Sequence, residues 1–463
     1  MADKFRFEPT PLDQLQSHYD VVIVGSGGTG LTSAIRAHEL GLSPVVLEKM
    51  PQLGGNTTRA SSGMNAADTA VQRKHHIKDT VASFYHDTFV GGGEQNNPEL
   101  LKYFTENGAD AIDWLMKHGI VLDDLTITGG MSTMRTHRPS SMAPIGGYLV
   151  TELLKLADKA ELPIFTEMHV DRLLTTGDAV TGVEVTTGDE THTITADAVV
   201  LATGGFGANE KLLTRYRPEL AGYRTTNQPG ATGDGLQLAR QVGAELVDMK
   251  QVQVHPTVQQ DTDHAFLIGE AVRGEGAILV DRQGKRFVNE LATRKVVTAA
   301  IEYLDEKGAY LIFDQSVRDR VKAIEFYDHV GLVTTGATLA ELAEKVGFDA
   351  ETLAATVTTW NAAVTTKHDG AFGRTTGLDR ELTQAPYFAI HVAPAVHYTM
   401  GGVRINAQTQ VLREDGTPIA GLFAAGEVAG GLHGNNRIGG NSIAETVVFG
   451  LQSGSQVAAM LKA

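Results

Sequence analysis

Apolar and polar positions along the chain follow two rhythms. Val21-Val22-Ile23-Val24 is an uninterrupted β-branched run, the pattern of a strand buried on both faces. Gly25-Ser26-Gly27-Gly28-Thr29-Gly30 follows, and apolar positions then recur at helical spacing from Leu31 to Leu40, ended by Gly41. Pro44-Val45-Val46-Leu47-Glu48 predicts a second strand, so the chain opens with a strand–helix–strand unit. Asp68 to Lys117 is mostly helical in pattern. Residues 125–150, rich in Gly, Thr, Ser and Pro, predict a loop, overlapping a helix over 147–160.

Short strands come next. Val180–Val185 and Thr191–Ile194 predict a hairpin, and Ala198–Ala202 a separate buried parallel strand. From about Met249 to about Val396 the composition changes. Strands at Ala277–Val280 and Leu311–Phe313 mix with helices at Thr338–Val346 and Asp349–Val364. The opening pattern returns at Gly421–Glu427 and in a helix from about Asn441. The reading is an α/β fold: a Rossmann-like domain built from 1–250 and 398–463, with an inserted α+β capping domain over 251–397.

Composition narrows the chemistry. A length of 463 residues suits two or three domains. The formal charge of −16 argues against nucleic acid, whose phosphates need a basic surface. The absence of cysteine excludes disulfides, thiolate metal sites, iron–sulfur clusters and thioether haem attachment. Redox chemistry therefore needs an organic cofactor or non-thiolate ligands, and no metal site is indicated. Met1 to His18 is polar, and no run of about 18 apolar residues occurs, so the expectation is a cytoplasmic protein without a transmembrane segment.

The glycine turn carries the first chemistry. Gly25 allows the tight turn, Gly27 lets a pyrophosphate approach the backbone above a helix N-terminus, and Gly30 lets helix and strand pack closely. Glu48, at the end of the next strand, suits both ribose hydroxyls of a dinucleotide. Residues 54–66, small, polar and Gly-rich, can lie along an extended cofactor, and Glu427 after a strand can bind ribityl hydroxyls. Together these three motifs favour FAD over a nicotinamide dinucleotide.

The inserted region and the segment after it concentrate His, Arg and Glu among glycines: His255, Glu270, Arg273, Arg294, His397 and Arg437. Arginine in Gly-rich turns suits bidentate recognition of carboxylates, and two arginines with two histidines suit a small dianion.

With these residues in hand, the chain resembles the soluble fumarate reductase flavoprotein family, in particular the flavin part of flavocytochrome c fumarate reductases and free-standing bacterial relatives. The likeness covers about residues 18 to 458. It rests on Gly-Glu270-Ala-Val-Arg273-Gly, Thr-Arg294, His397-Tyr-Thr-Met-Gly-Gly and Asn-Asn-Arg437-Ile-Gly-Gly-Asn.

The resemblance implies that the inserted region is a clamp closing over substrate at the flavin. His397 and Arg437 would hold one carboxylate of fumarate. His255 with the Gly440 backbone would fix the other end, and Glu270 would also adjoin the substrate. Hydride would pass from flavin N5 to one alkene carbon and Arg294 would protonate the other, with Glu270 and Arg273 as its relay, giving succinate. FAD contacts would fall on Gly28, Glu48, Asn56, Thr57, Ser61, Ser62, Val170, Asp234, Tyr398, Glu427, Arg437, Ser442 and Ile443. By general principle an arginine, with a pKa above about 12, is a poor acid, and His397 is the alternative.

Three departures matter. Gly269 stands where fumarate-reducing relatives carry a hydroxyl residue, which leaves open another α,β-unsaturated acid, of urocanate or acrylate type. Tyr398 replaces a second histidine. No histidine occurs in Thr57–Ser62, so FAD is expected to be non-covalent. The electron donor is expected to be external: reduced flavin, NADH or a partner protein. A flavin redox module without turnover is the reading from a different class, and it would need none of the six charged groups.

Overall fold

The computed structural model describes residues 5–141, 143–262 and 264–462. Residues 1–4 of the polar N-terminal stretch, Met142 in the predicted loop, Asp263 and Ala463 lie outside them. The β-branched run forms the strand His18–Val24. It pairs in parallel with Pro44–Leu47 on one side and with the end of Glu190–Leu201 on the other, Val22 opposite both Val45 and Val199. All three valines are fully buried, as a sheet covered on both faces requires. Burial of each such side chain contributes roughly 1.5–3 kcal/mol.

Across this sheet the order is Gln410–Leu412, Pro418–Ala424, Glu190–Leu201, His18–Val24, Pro44–Leu47, Ile164–Phe165. The antiparallel strands Ala179–Thr187 and His169–Thr176 continue from Glu190–Leu201. The helices Gly28–Glu39 and Asn441–Lys462 lie side by side, tied by Ser33 and Ser453 at 3.0 Å.

Two expectations are corrected. The predicted hairpin strand and the predicted parallel strand are one strand, Glu190–Leu201. Its first half alternates between exposed and buried positions beside Ala179–Thr187. Its last four residues, Ala198–Leu201, are continuously buried between parallel neighbours. The hydrophobic pattern changes because the environment changes, while the backbone continues. The predicted loop 125–150 also holds structure. Asp124–Thr126 and Thr136–Arg138 form a small sheet with Met64–Asn65, and the helix Ile145–Lys159 begins inside the stretch. Strands this short leave no periodicity to read; they are held by pairing and by the Thr136 hydroxyl donating to Asn65 Oδ1 at 2.6 Å.

A second, antiparallel sheet runs Phe266–Leu267, Val252–Gln259, Tyr387–Thr399, Ala309–Asp314, Ile278–Val280, with Thr334–Gly336 also on Tyr387–Thr399. It has its own apolar core around Ile278, Leu311, Phe313, Trp360 and Phe388. The strands Val252–Gln259 and Tyr387–Thr399 pair with each other and join the two cores. Val252 and Val396 pack in the first core, Val392 in the second. Each of these crossing strands carries residues of the site.

Candidate active site

A cleft of about 570 Å³ opens at the C-terminal ends of the parallel strands, where Val24, Leu47, Ala202 and Ala425 reach its wall. Ligands of open α/β sheets bind at this end. Gly25 turns with φ 106°. A Cβ on Gly30 would stand 1.9 Å from the Gly25 carbonyl oxygen, so only glycine lets the helix sit this close; Gly30 lies behind the wall and does not face the cleft. A Cβ on Gly27 would meet nothing nearer than Thr57 Oγ1 at 3.8 Å, so bare backbone faces open space there. Gly28 N–H donates to Thr57 Oγ1 at 3.0 Å. Glu48 is buried; it accepts from Ser26 N–H at 3.0 Å, the Ser26 hydroxyl at 2.7 Å and Met50 N–H at 2.8 Å.

Along the cleft, Ser61 and Ser62 follow the turn Gly55–Arg59, and Ser442 and Ile443 open the last helix. Val170 also lines the wall. Asp234 does too, with its carboxylate paired to Lys49 at 2.5 Å. Asn56 donates to Asn227 Oδ1 at 2.6 Å and reaches Glu427 at 3.4 Å. Glu427 accepts from Thr399 N–H at 3.0 Å, and burial pushes its carboxyl up to about 7. A half-buried acid in that condition wants further donors, which a polyhydroxyl chain supplies. The bare glycine cradle, Glu48 and Glu427 fit an FAD.

The second group of residues lies where the crossing strands meet the segment 433–440. Arg437 is buried with its guanidinium 4.4 Å over the Tyr398 ring. It donates to Ile438 O, Ser442 Oγ and Gln253 Oε1, while its Nε has no partner. No carboxylate pairs with it among the described residues. Burial, helped by Arg294, lowers its pKa to about 9. Arg294 donates to Glu270 at 2.6 Å through Nε and to Gln253 Oε1 at 3.0 Å through Nη1. Gln253 thus bridges two guanidinium groups with one neutral oxygen. Burial alone would push the Glu270 carboxyl up, but Arg294 and Arg273 outweigh it and hold it below its usual range. Arg273 stands 3.6 Å from Glu270, and burial lowers its pKa to about 10.

The two histidines meet edge to face, with ring centroids 5.1 Å apart. Thr257 N–H donates to His255 Nδ1 at 3.2 Å, which places the His255 proton on Nε2; that nitrogen has no partner. His397 Nδ1 lies 2.7 Å from the Thr226 hydroxyl. Burial first, then Arg294, holds both rings well below the usual histidine range, so both are neutral near pH 7. A neutral imidazole donates hydrogen bonds but carries no spare proton, which tells against His397 as the acid. Tyr398 is held by a 2.5 Å hydrogen bond to Glu445, which His433 also meets at 3.0 Å.

Arg294, His397, Tyr398, Arg437 and Gly440 line the cleft, with Gly440 at φ 84°. His255, Glu270 and Arg273 do not; they are buried behind the wall. Glu270 is engaged by Arg294, and the His255 ring packs behind His397. Gln253, Thr226 and Thr399 are missed by the sequence reading. The one signal for Gln253 was its place two residues before His255 in a strand.

Comparison with known proteins bears on the family. The FAD binding domain family matches residues 20–443. An NADH:fumarate oxidoreductase of Klebsiella pneumoniae (strain 342) is 48% identical over 447 residues, 96% of this chain; the chain spans 48% of that protein's length. A fumarate reductase (cytochrome) of Shewanella frigidimarina is 41% identical over 441 residues, covering 95% of this chain and 77% of that one. The solved open conformation of a flavocytochrome c3 fumarate reductase superposes with a TM-score of 0.78 at 39% identity, covering 96% of this chain and 79% of that one.

Proposed function

Because the chain belongs to the FAD-binding family of the soluble fumarate reductase flavoproteins, we propose that it is an FAD-dependent reductase converting fumarate to succinate. The observation that carries this reading is Arg437, a buried guanidinium on the cleft wall with no carboxylate partner among the described residues and an unsatisfied Nε. A buried cation left in that state is costly unless an anion completes it. Arg294 and Arg273 share the one carboxylate of Glu270 while Arg437 has none, an excess of positive charge that suits a dianion.

Reduced FAD, when bound, supplies the hydride. Arg437 and His397 hold a carboxylate and withdraw charge from the olefin, and the unpaired His255 Nε2–H stands behind them as a further donor. Gln253 keeps Arg437 and Arg294 in register. Arg294 then delivers the proton, since its remaining Nη is uncommitted among the described residues and Glu270 with Arg273 can restore its charge. Residues 251–397 act as the capping domain that excludes water from this step.

Non-covalent attachment of FAD is part of the reading, supported by the lack of histidine in Thr57–Ser62. Acid precipitation should release all the flavin; flavin retained in the pellet would contradict it. The reading takes its electrons from outside residues 1–463 (reduced flavin, NADH or a partner protein), in a proposed cytoplasmic setting. Among the described residues no helix is long and apolar enough to cross a membrane.

Gly269 favours a second reading, a reductase of a urocanate-type or acrylate-type acid. Stopped-flow reoxidation of the reduced protein by fumarate, urocanate and acrylate decides. Fastest reoxidation by fumarate is expected; if fumarate fails while another acid succeeds, the fumarate reading falls.

A further inference from the structure

The helix Ala323–His329 brings one more polar group to the cleft. Tyr327 is buried on this helix and lines the same cleft as Arg294 and Ser61. Its phenol oxygen accepts Gly269 N–H at 3.1 Å. That is its only hydrogen bond among the described residues, so the phenol's own proton has no acceptor. A Cβ on Gly269 would stand 3.7 Å from this oxygen and 2.8 Å from Ser61 Oγ. The hydroxyl therefore occupies the space just off residue 269, one position before the Glu270 that holds Arg294. Burial pushes the phenol pKa up, so the group stays a neutral donor. A protonated hydroxyl, one lone pair engaged and its hydrogen free, at a cleft lined by Arg294 and by Arg437, which has no carboxylate partner among the described residues, is placed to complete an anion's shell of donors.

We propose that Tyr327 donates its phenol hydrogen bond to a carboxylate oxygen of the substrate, and that this contact sets the preference for a dianionic over a monoanionic olefin. The proposal rests on the reading of the cleft as an unsaturated-carboxylate site. Arg437 reaches the cleft from the segment 433–440 and Tyr327 from the capping sheet's own helices, so two different elements would grip the two ends of one small molecule. A monoanion offers only one end to grip.

The test is Y327F in the flavin-loaded protein, a change that keeps the ring and removes only the hydroxyl. Succinate and propionate, a dianion and a monoanion, are titrated calorimetrically, and KM and kcat are measured for fumarate and acrylate. The Kd for succinate and the KM for fumarate should rise about 10- to 100-fold, the usual worth of a hydrogen bond to a charged group. The kcat for fumarate, the constants for propionate and acrylate, the flavin content and the melting temperature should change little. Unchanged succinate affinity would overturn the proposal, and so would equal losses for the dianion and the monoanion, which would mean a structural role. Wild-type protein that binds none of these acids would instead overturn the underlying reading of the cleft.

Discussion

Two buried arginine clusters in this molecule use the same side chains for opposite ends. In the first, Arg286 makes paired hydrogen bonds to Glu290 at 2.7 and 2.8 Å and contacts Asp369 at 2.9 Å, with its guanidinium 4.9 Å over the Trp360 ring. Arg374 meets Glu290 at 3.1 Å and several main-chain carbonyls, on the same tryptophan. Two cations face two anions, and burial of Arg286 is more than offset by Glu290 and Asp369, which raise its pKa. In the second cluster Arg294, Arg273 and Arg437 share Glu270 and one neutral glutamine oxygen, and nitrogens of Arg273 and Arg437 stay unpartnered. The balanced cluster is scaffold. The unbalanced one holds positive charge at a cleft wall at a cost in stability, the mark of a site awaiting an anion.

The sharpest test of this contrast is Arg294→Ala, a loss of charge on the unbalanced side. If Arg294 donates the proton, fumarate turnover per bound flavin should fall by about 10²–10⁴-fold. Turnover near wild type in stopped-flow assays would assign the proton to another group, and an unchanged output would favour a redox module without turnover.

The mirror experiment is Glu290→Gln in the balanced cluster. Removing one buried partner should cost about 3–5 kcal/mol in denaturant unfolding, while turnover per bound flavin stays constant. A loss of turnover without a loss of stability would erase the distinction drawn between the clusters.

Glu427 extends the contrast to pH. Its folded pKa of about 7 lies above the unfolded value of 4.5, so the fold favours the protonated form. Its contribution to the stability of flavin-free protein is fully present below about pH 4.5. It should be lost as pH rises through about 7, a decline of up to about 3 kcal/mol. Glu427→Gln should remove that decline from a melting-temperature series; an identical pH profile in the variant would show that another group titrates.

The smallest effect expected is on stability in Arg437→Met. Removing an unpaired buried charge should leave the melting temperature of flavin-free protein unchanged or slightly higher, although dicarboxylate binding is abolished. A fall of many degrees would place Arg437 with the scaffold.

Much of this molecule is legible in the order of its residues. The run Val21–Val24, the glycine turn and Glu48 specify a strand–helix–strand unit locally, because β-branched burial, glycine backbone freedom and helical spacing act over a few residues. The motifs around Glu270, Arg294, His397 and Arg437 mark the charged groups and, through resemblance, the family. The packing environment was not legible. Glu190–Leu201 carries two patterns in one strand because its two halves have different neighbours, and the strands at 124–126 and 136–138 are too short to carry a period.

Tertiary structure alone decided which charges meet. It set Glu290 against Arg286 and left Arg437 without a carboxylate. It put Gln253 between two guanidinium groups, buried His255, Glu270 and Arg273 behind the wall, and carried Tyr327 to Gly269 from a separate helix. Electrostatics and desolvation depend on distances between segments remote in sequence. The chain therefore determined which reactive groups exist and roughly where they lie, and folding determined which of them are left unsatisfied.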